Sequence, residues 1–144
     1  MKILQVNYQV NYSDYAHGGG GAIAMYRLYL GLKSQGLDCK ILAGIKTLES
    51  DDSQSIKRSN RIESLLRNFT VRLGLNDIHC VSSYDLTQHE FYLNADILNF
   101  HVIHSGYFNY LAIPKLTKSK PAVFTLHDMW SFTGHCAYSY DCDK

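Results

Sequence analysis

Residues 97–101 (ILNFH) and 122–126 (AVFTL) are apolar runs of strand length, and they constrain the fold of this chain more than any other feature. A strand with one wet face alternates apolar and polar residues. An unbroken run therefore predicts a strand buried on both faces, as in a parallel sheet covered by helices. Residues 2–6 (KILQV) predict a first strand and residues 39–43 (CKILA) a second. Between them Gly21, Met25, Leu28 and Leu32, with Ala24 and Gly31 alongside, predict one small and apolar helix face, with Arg27 and Ser34 opposite and Gly36 as the stop. Crossovers in such β-α-β units are nearly always right-handed. The expected fold is an α/β domain with a doubly wound, mostly parallel, Rossmann-like sheet and helices on both faces.

The other segments are less regular. Residues 7–17 predict a polar, aromatic loop and residues 49–60 a polar link. Ile62, Leu66, Phe69 and Leu73 then fall at i, i+4, i+7 and i+11, which predicts a second helix. Residues 57–73 carry Lys57, Arg58, Arg61, Arg67 and Arg72 against Glu63, so the helix either turns a solvated basic face outward or meets an anionic membrane surface. Residues 77–94 predict irregular structure, and residues 108–116 a short helix ended near Pro114.

A chain of 144 residues, 46% hydrophobic, has room for one core and a single domain. Its formal charge of +1 argues against a nucleic-acid partner, which calls for a strongly basic surface. The N-terminal apolar run is too short for a secretory leader or a bilayer span, so a cytoplasmic location is expected, with membrane contact at most peripheral and at the inner face. Cys39 and Cys80 are isolated and Cys136 and Cys142 sit together near the end, a distribution that suits reduced thiols.

Ligands of doubly wound sheets bind at the carboxyl ends of the strands. The glycine run 18–21 follows strand one, His101 and His104 follow ILNF, and His127, Asp128 and Trp130 follow AVFTL. Gly19-x-Gly21-x-x-Ala24 formally matches a dinucleotide fingerprint, but it lies twelve residues beyond the strand, and the second strand ends in Ala43-Gly44-Ile45 without a ribose-binding acid. A nicotinamide-dependent oxidoreductase is the remote alternative. Bare N–H groups at a helix start favour phosphate, while a flexible loop or close packing of the helix on the sheet explains the glycines equally well.

The segments ADILNFHVIHSGYF and KPAVFTLHDMWSFTGHCAYSYDC, above all residues 125–142, resemble the N-terminal domain of the family 4 GT-B glycosyltransferases that build bacterial surface polysaccharides. The resemblance extends in order along the whole chain, more loosely over 76–93. It implies the N-terminal, acceptor-side Rossmann-like half of a GT-B fold over residues 1–144, with the donor domain missing. The implied reaction transfers a sugar from a UDP- or GDP-sugar to a saccharide or lipid-linked acceptor hydroxyl, with retention and with no obligatory metal or other cofactor. On this carry-over Gly19, Gly20 and Gly21 approach the donor diphosphate. His127 sits beside the transferred sugar or acceptor, with Asp128 orienting its ring or the loop, and His101, His104 and Trp130 lie on the acceptor side.

Read from the residues alone, a strand-end His-Asp pair is more often a structural hydrogen bond than a catalytic pair, and His101 and His104 are equally satisfied pocket-edge side chains. Zinc would draw on His101, His104, His135, Cys136 and Cys142, yet Cys136-x5-Cys142 by itself is no closed four-ligand site. Asp141-Cys142-Asp143 spells a DxD motif in an unsuitable loop. The family's paired glutamates, E-x7-E, do not occur among Glu49, Glu63 and Glu90, and the chain stops within its most specific motif. The expectation is an N-terminal fragment inactive by itself, with a non-catalytic nucleotide- or acceptor-binding module as the alternative.

Overall fold

The structure, a computed structural model, describes residues 1–10, 19–46, 50–133 and 136–140. Its elements follow the order β1 (Lys2–Val10), α1 (Gly19–Ser34), β2 (Asp38–Lys46), β3 (Ser53–Ser55), α2 (Asn60–Arg72), a 3-10 helix (Val81–Gln88), α3 (Glu90–Asn94), β4 (Ile97–Phe100), a second 3-10 turn (Tyr110–Ala112), α4 (Ile113–Leu116), β5 (Ala122–Phe124) and α5 (Trp130–Thr133). The five strands form one sheet in the order β3-β2-β1-β4-β5, and every pairing is parallel. The fold is the expected α/β architecture with a doubly wound sheet flanked by helices on both faces.

Alternation along β1 sends Leu4 and Val6 into one core and Ile3 into the other. The first core joins them to Leu42, Leu98 and Phe100 beneath Phe91, Tyr92, Phe108 and Leu116. The second packs Met25 and Tyr29 of α1 on Cys39, Ile41 and Ala43 of β2. Helix α1 stops at Gly36 as its sequence predicts: φ is +76°, Gly36 N donates to Lys33 O, and Leu37 N donates to Leu32 O.

Several local expectations are corrected. Strand β1 continues through Asn7 to Val10 because its parallel partner β2 runs on to Lys46, and the register pairs Val10 with Lys46. Helix α1 buries Ala22, Met25 and Tyr29, leaving Leu28 exposed, and the Tyr29 hydroxyl donates to Asp52 Oδ2 at 2.8 Å. The polar link contains β3, whose SQS sequence pairs with residues 41–43 of β2. Pro114 begins α4 instead of ending a helix, a position where its missing N–H is no loss. Residues 77–94 hold a 3-10 helix and α3. Strand β5 is exposed, in contrast to the doubly buried strand expected of AVFTL.

Candidate functional site

The carboxyl ends of β1, β4 and β5 meet the start of α1 around a cleft of about 430 Å³. Gly19, Gly20, Gly21, His104, His127 and Asp128 all line it. Six residues separated by up to 109 positions in sequence thus share one cavity, as the strand-end reading expects. The backbone N–H groups of a helix's first turn have no intrahelical acceptors, so this end of α1 presents a partial positive charge.

The three described glycines differ in what surrounds them. Among the described residues, a Cβ on Gly19 or Gly20 would meet nothing within 4 Å. A Cβ on Gly21 would lie 3.1 Å from Val102 Cγ2 and 3.3 Å from His127 Cγ. Gly21 therefore lets the His127 ring lie against the helix, and Gly20 leaves its backbone open. Gly18 lies outside the described residues.

His127 rests on a buried relay. His101, with 1% of its surface exposed, stacks beneath it at a ring distance of 5.1 Å, and His101 Nδ1 and His127 Nε2 are 2.8 Å apart. On its other side His101 Nε2 lies 2.6 Å from Gln5 Oε1, while Gln5 Nε2 donates to Cys39 Sγ. That orientation of the amide makes Oε1 an acceptor, so His101 carries its proton on Nε2 and accepts at Nδ1 from His127 Nε2–H. His127 Nδ1 is then the unprotonated nitrogen. Burial pushes the His101 pKa down to about 4, with the neighbouring His127 adding to the effect. Burial also lowers that of His127, against an opposing pull from Asp128. Both rings are neutral at pH 7.

Asp128 holds a different histidine. Its Oδ2 lies 2.7 Å from His104 Nε2, and its Oδ1 accepts from Trp130 N at 3.0 Å, which fixes the turn into α5. His104 stacks on Trp130 at 5.1 Å and also meets Ser105 Oγ at 3.0 Å. Asp128 thus orients the loop and the His104 ring. Trp130 and His101 support cleft residues and are not themselves among those that line it.

Sequence reasoning passed over Asn7 and Gln9, which line the cleft beside Tyr8, and the buried Gln5. Asn7 Oδ1 accepts from Val102 N at 3.2 Å and Asn7 Nδ2 donates to Gln9 O, tying the β4 exit to β1. The signal was present: Gln5, Asn7 and Gln9 alternate with Leu4, Val6, Tyr8 and Val10, and a polar residue buried at such a position must find a partner. Cys39, Cys80 and Cys136 are free thiols, and among the described residues no group of three His, Cys, Asp or Glu side chains could hold a metal ion. His135, Asp141, Cys142 and Asp143 lie outside the described residues.

No family model matches the chain. The chain is 28% identical, over 158 aligned positions, to WcaC of Escherichia coli strain K12, which carries the provisional description of a colanic acid biosynthesis glycosyl transferase. The alignment covers 99% of this chain and 37% of WcaC, so the chain spans little more than a third of the relative's length. Nearly the whole sequence is therefore similar to part of WcaC.

Proposed function

We propose that residues 1–144 form the acceptor-side half of a GT-B glycosyltransferase of the family 4 type, and that the cleft is one wall of its donor site. The observation that carries this reading is the open backbone of Gly19 and Gly20 at the head of α1, facing the same cavity as His127. The likeness to a glycosyl transferase over 99% of the chain supports it.

In such a reaction the bond from the anomeric carbon to the donor phosphate breaks, and an acceptor oxygen bonds to that carbon with retention. Charge grows on the departing diphosphate, so the start of α1 would stabilise the transition state more than the ground state. Each helix-end contact would contribute roughly 0.3–1 kcal/mol, more where water is excluded. His127, fixed as the Nε2–H tautomer, would accept a hydrogen bond at Nδ1 from a sugar or acceptor hydroxyl. The leaving phosphate is the acceptor of the transferred proton, so His127 orients the substrate without serving as an obligatory base. His104 and Asp128 would shape the acceptor side, with Trp130 behind them.

Calorimetric titration of the 144-residue protein with UDP and GDP tests the reading. The expected result is saturable binding of one of them that Gly20→Val abolishes without loss of fold, because among the described residues a Cβ there meets nothing within 4 Å and the side chain stands in the approach to the backbone. Binding of neither nucleotide, or binding indifferent to Gly20→Val, would falsify the site. A pure sample of the chain is expected to transfer no sugar by itself, and donor turnover in a product assay would overturn that expectation.

A further inference from the structure

Cys39 on β2, Gln5 on β1, His101 at the end of β4 and His127 beyond the end of β5 follow the order of the sheet and form a single file of hydrogen bonds. Gln5 Nε2 lies 3.7 Å from Cys39 Sγ, Gln5 Oε1 2.6 Å from His101 Nε2, and His101 Nδ1 2.8 Å from His127 Nε2. The first three residues are buried, so water reaches the file only at His127. Gln5 and a neutral His101 each present a donor to one side and an acceptor to the other, and the bonds must therefore all run one way. In the direction found here His127 donates to His101, His101 to Gln5 and Gln5 to the sulfur. Nδ1 of His127, which bonds no described residue, is left bare.

The reverse direction would keep all three bonds. Residue 39 would donate to Gln5 Oε1, the turned amide to His101 Nε2, and His101 Nδ1–H to His127 Nε2, leaving His127 with its proton on Nδ1. Each ring holds one proton either way, so reversal changes no charge. What separates the two directions is the proton of residue 39. Burial pushes the Cys39 pKa up to about 11, so the side chain is a thiol at pH 7. It sits in the cluster of Ile3, Met25, Ile41 and Ala43, and the side-chain bond described for it is one that it accepts. An S–H is a weak donor and loses little when it stays unused, whereas an O–H buried without an acceptor is strongly disfavoured. Sulfur therefore tolerates the direction that bares Nδ1 of His127, and oxygen would not. We propose that Cys39 and Gln5 are positioning residues that set, through His101, which nitrogen of His127 is open to the cleft. A bare Nδ1 accepts from a hydroxyl or an N–H and repels the oxygens of an ionised phosphate. The file thus assigns the His127 end of the cleft to a hydrogen-bond donor and leaves anionic oxygen to the start of α1. It is a property of the unliganded protein and stands whether or not the cleft takes a nucleotide-sugar.

Long-range proton–nitrogen NMR spectra of the ligand-free 144-residue protein, labelled at histidine, test the proposal. The two rings are identified by the signals missing from His101→Gln and His127→Gln. Both rings of the parent should carry their proton on Nε2. Cys39→Ser should move both protons to Nδ1, shifting the tautomer ratio by roughly tenfold or more. Cys39→Ala offers no donor, so it should loosen the core yet leave both rings as in the parent, which separates positioning from packing. Gln5→Met removes the acceptor of His101 Nε2–H and should also move both protons, and it decides the matter should Cys39→Ser fail to fold. A proton on Nδ1 of His127 in the parent would overturn the proposal. So would unchanged rings in a folded Cys39→Ser or in Gln5→Met, reversal in Cys39→Ala, or a change in one ring without the other.

Discussion

Strands β4 and β5 are adjacent, parallel and nearly alike in sequence character, yet they live in different environments. Leu98 of β4 is 1% exposed, whereas Val123 and Phe124 of β5 are 49% and 39% exposed. The difference is position in the sheet: β4 lies between β1 and β5, while β5 closes the row. The same contrast builds the candidate site. His101 leaves the buried strand and sinks beneath the surface, and His127 leaves the edge strand and takes its place above His101 at the cleft. A buried strand supplies the fixed base of the relay and an edge strand its accessible end.

The largest test of that contrast is paired truncation. Leu98→Ala should cost about 2–5 kcal/mol in urea unfolding, and Val123→Ala no more than about 0.5 kcal/mol. Equal losses would show that β5 is as buried as β4 in solution. Next is acid. With its folded pKa near 4 and an unfolded value near 6.5, His101 gives stability that is full above pH 6.5 and is lost as pH falls toward 4, because the unfolded chain binds the extra proton first. Between pH 7 and pH 5 that loss is about 2 kcal/mol, in the same direction as the smaller contribution from His127. His101→Gln should flatten this part of the profile; an unchanged slope would remove His101 from the buried class.

Smaller effects separate the two ends of the glycine run. Gly21→Ala should cost about 1–3 kcal/mol, because its Cβ presses on Val102 and the His127 ring. Gly20→Ala should be neutral or stabilising by up to about 1 kcal/mol. Matching thermal shifts for the two variants would contradict the packing around His127. The smallest change is expected at the half-buried rim. Asp128→Asn should cost about 1 kcal/mol or less, followed through the emission of Trp130, the only tryptophan in the chain; a loss as large as that of Leu98→Ala would make the rim part of the core.

Patterns local in sequence carried much of this outcome. The apolar runs, the β-α-β spacing and Gly36 announced a parallel sheet with its first crossover, and strand-end logic gathered the glycines, His104, His127 and Asp128 before any contact was visible. Patterns that depend on distant partners did not carry through. SQS is a strand only because residues 41–43 lie beside it, and α2 turns its apolar stripe outward only because Glu63 finds Arg58 and the Ser82 amide.

By itself, then, the sequence determined which segments become strands and helices and which end of the sheet holds the chemistry, because periodicity and chain order are local properties. Tertiary structure alone decided that β5 closes the row of described strands, that Asp128 serves His104, and that His127 is held by His101, which Gln5 of β1 holds in turn. Gln5 and His101 are 96 residues apart, and no local pattern encodes a hydrogen bond across that distance. Only the side-by-side pairing of β1 with β4 brings them together, and with them the protonation state of the ring at the cleft.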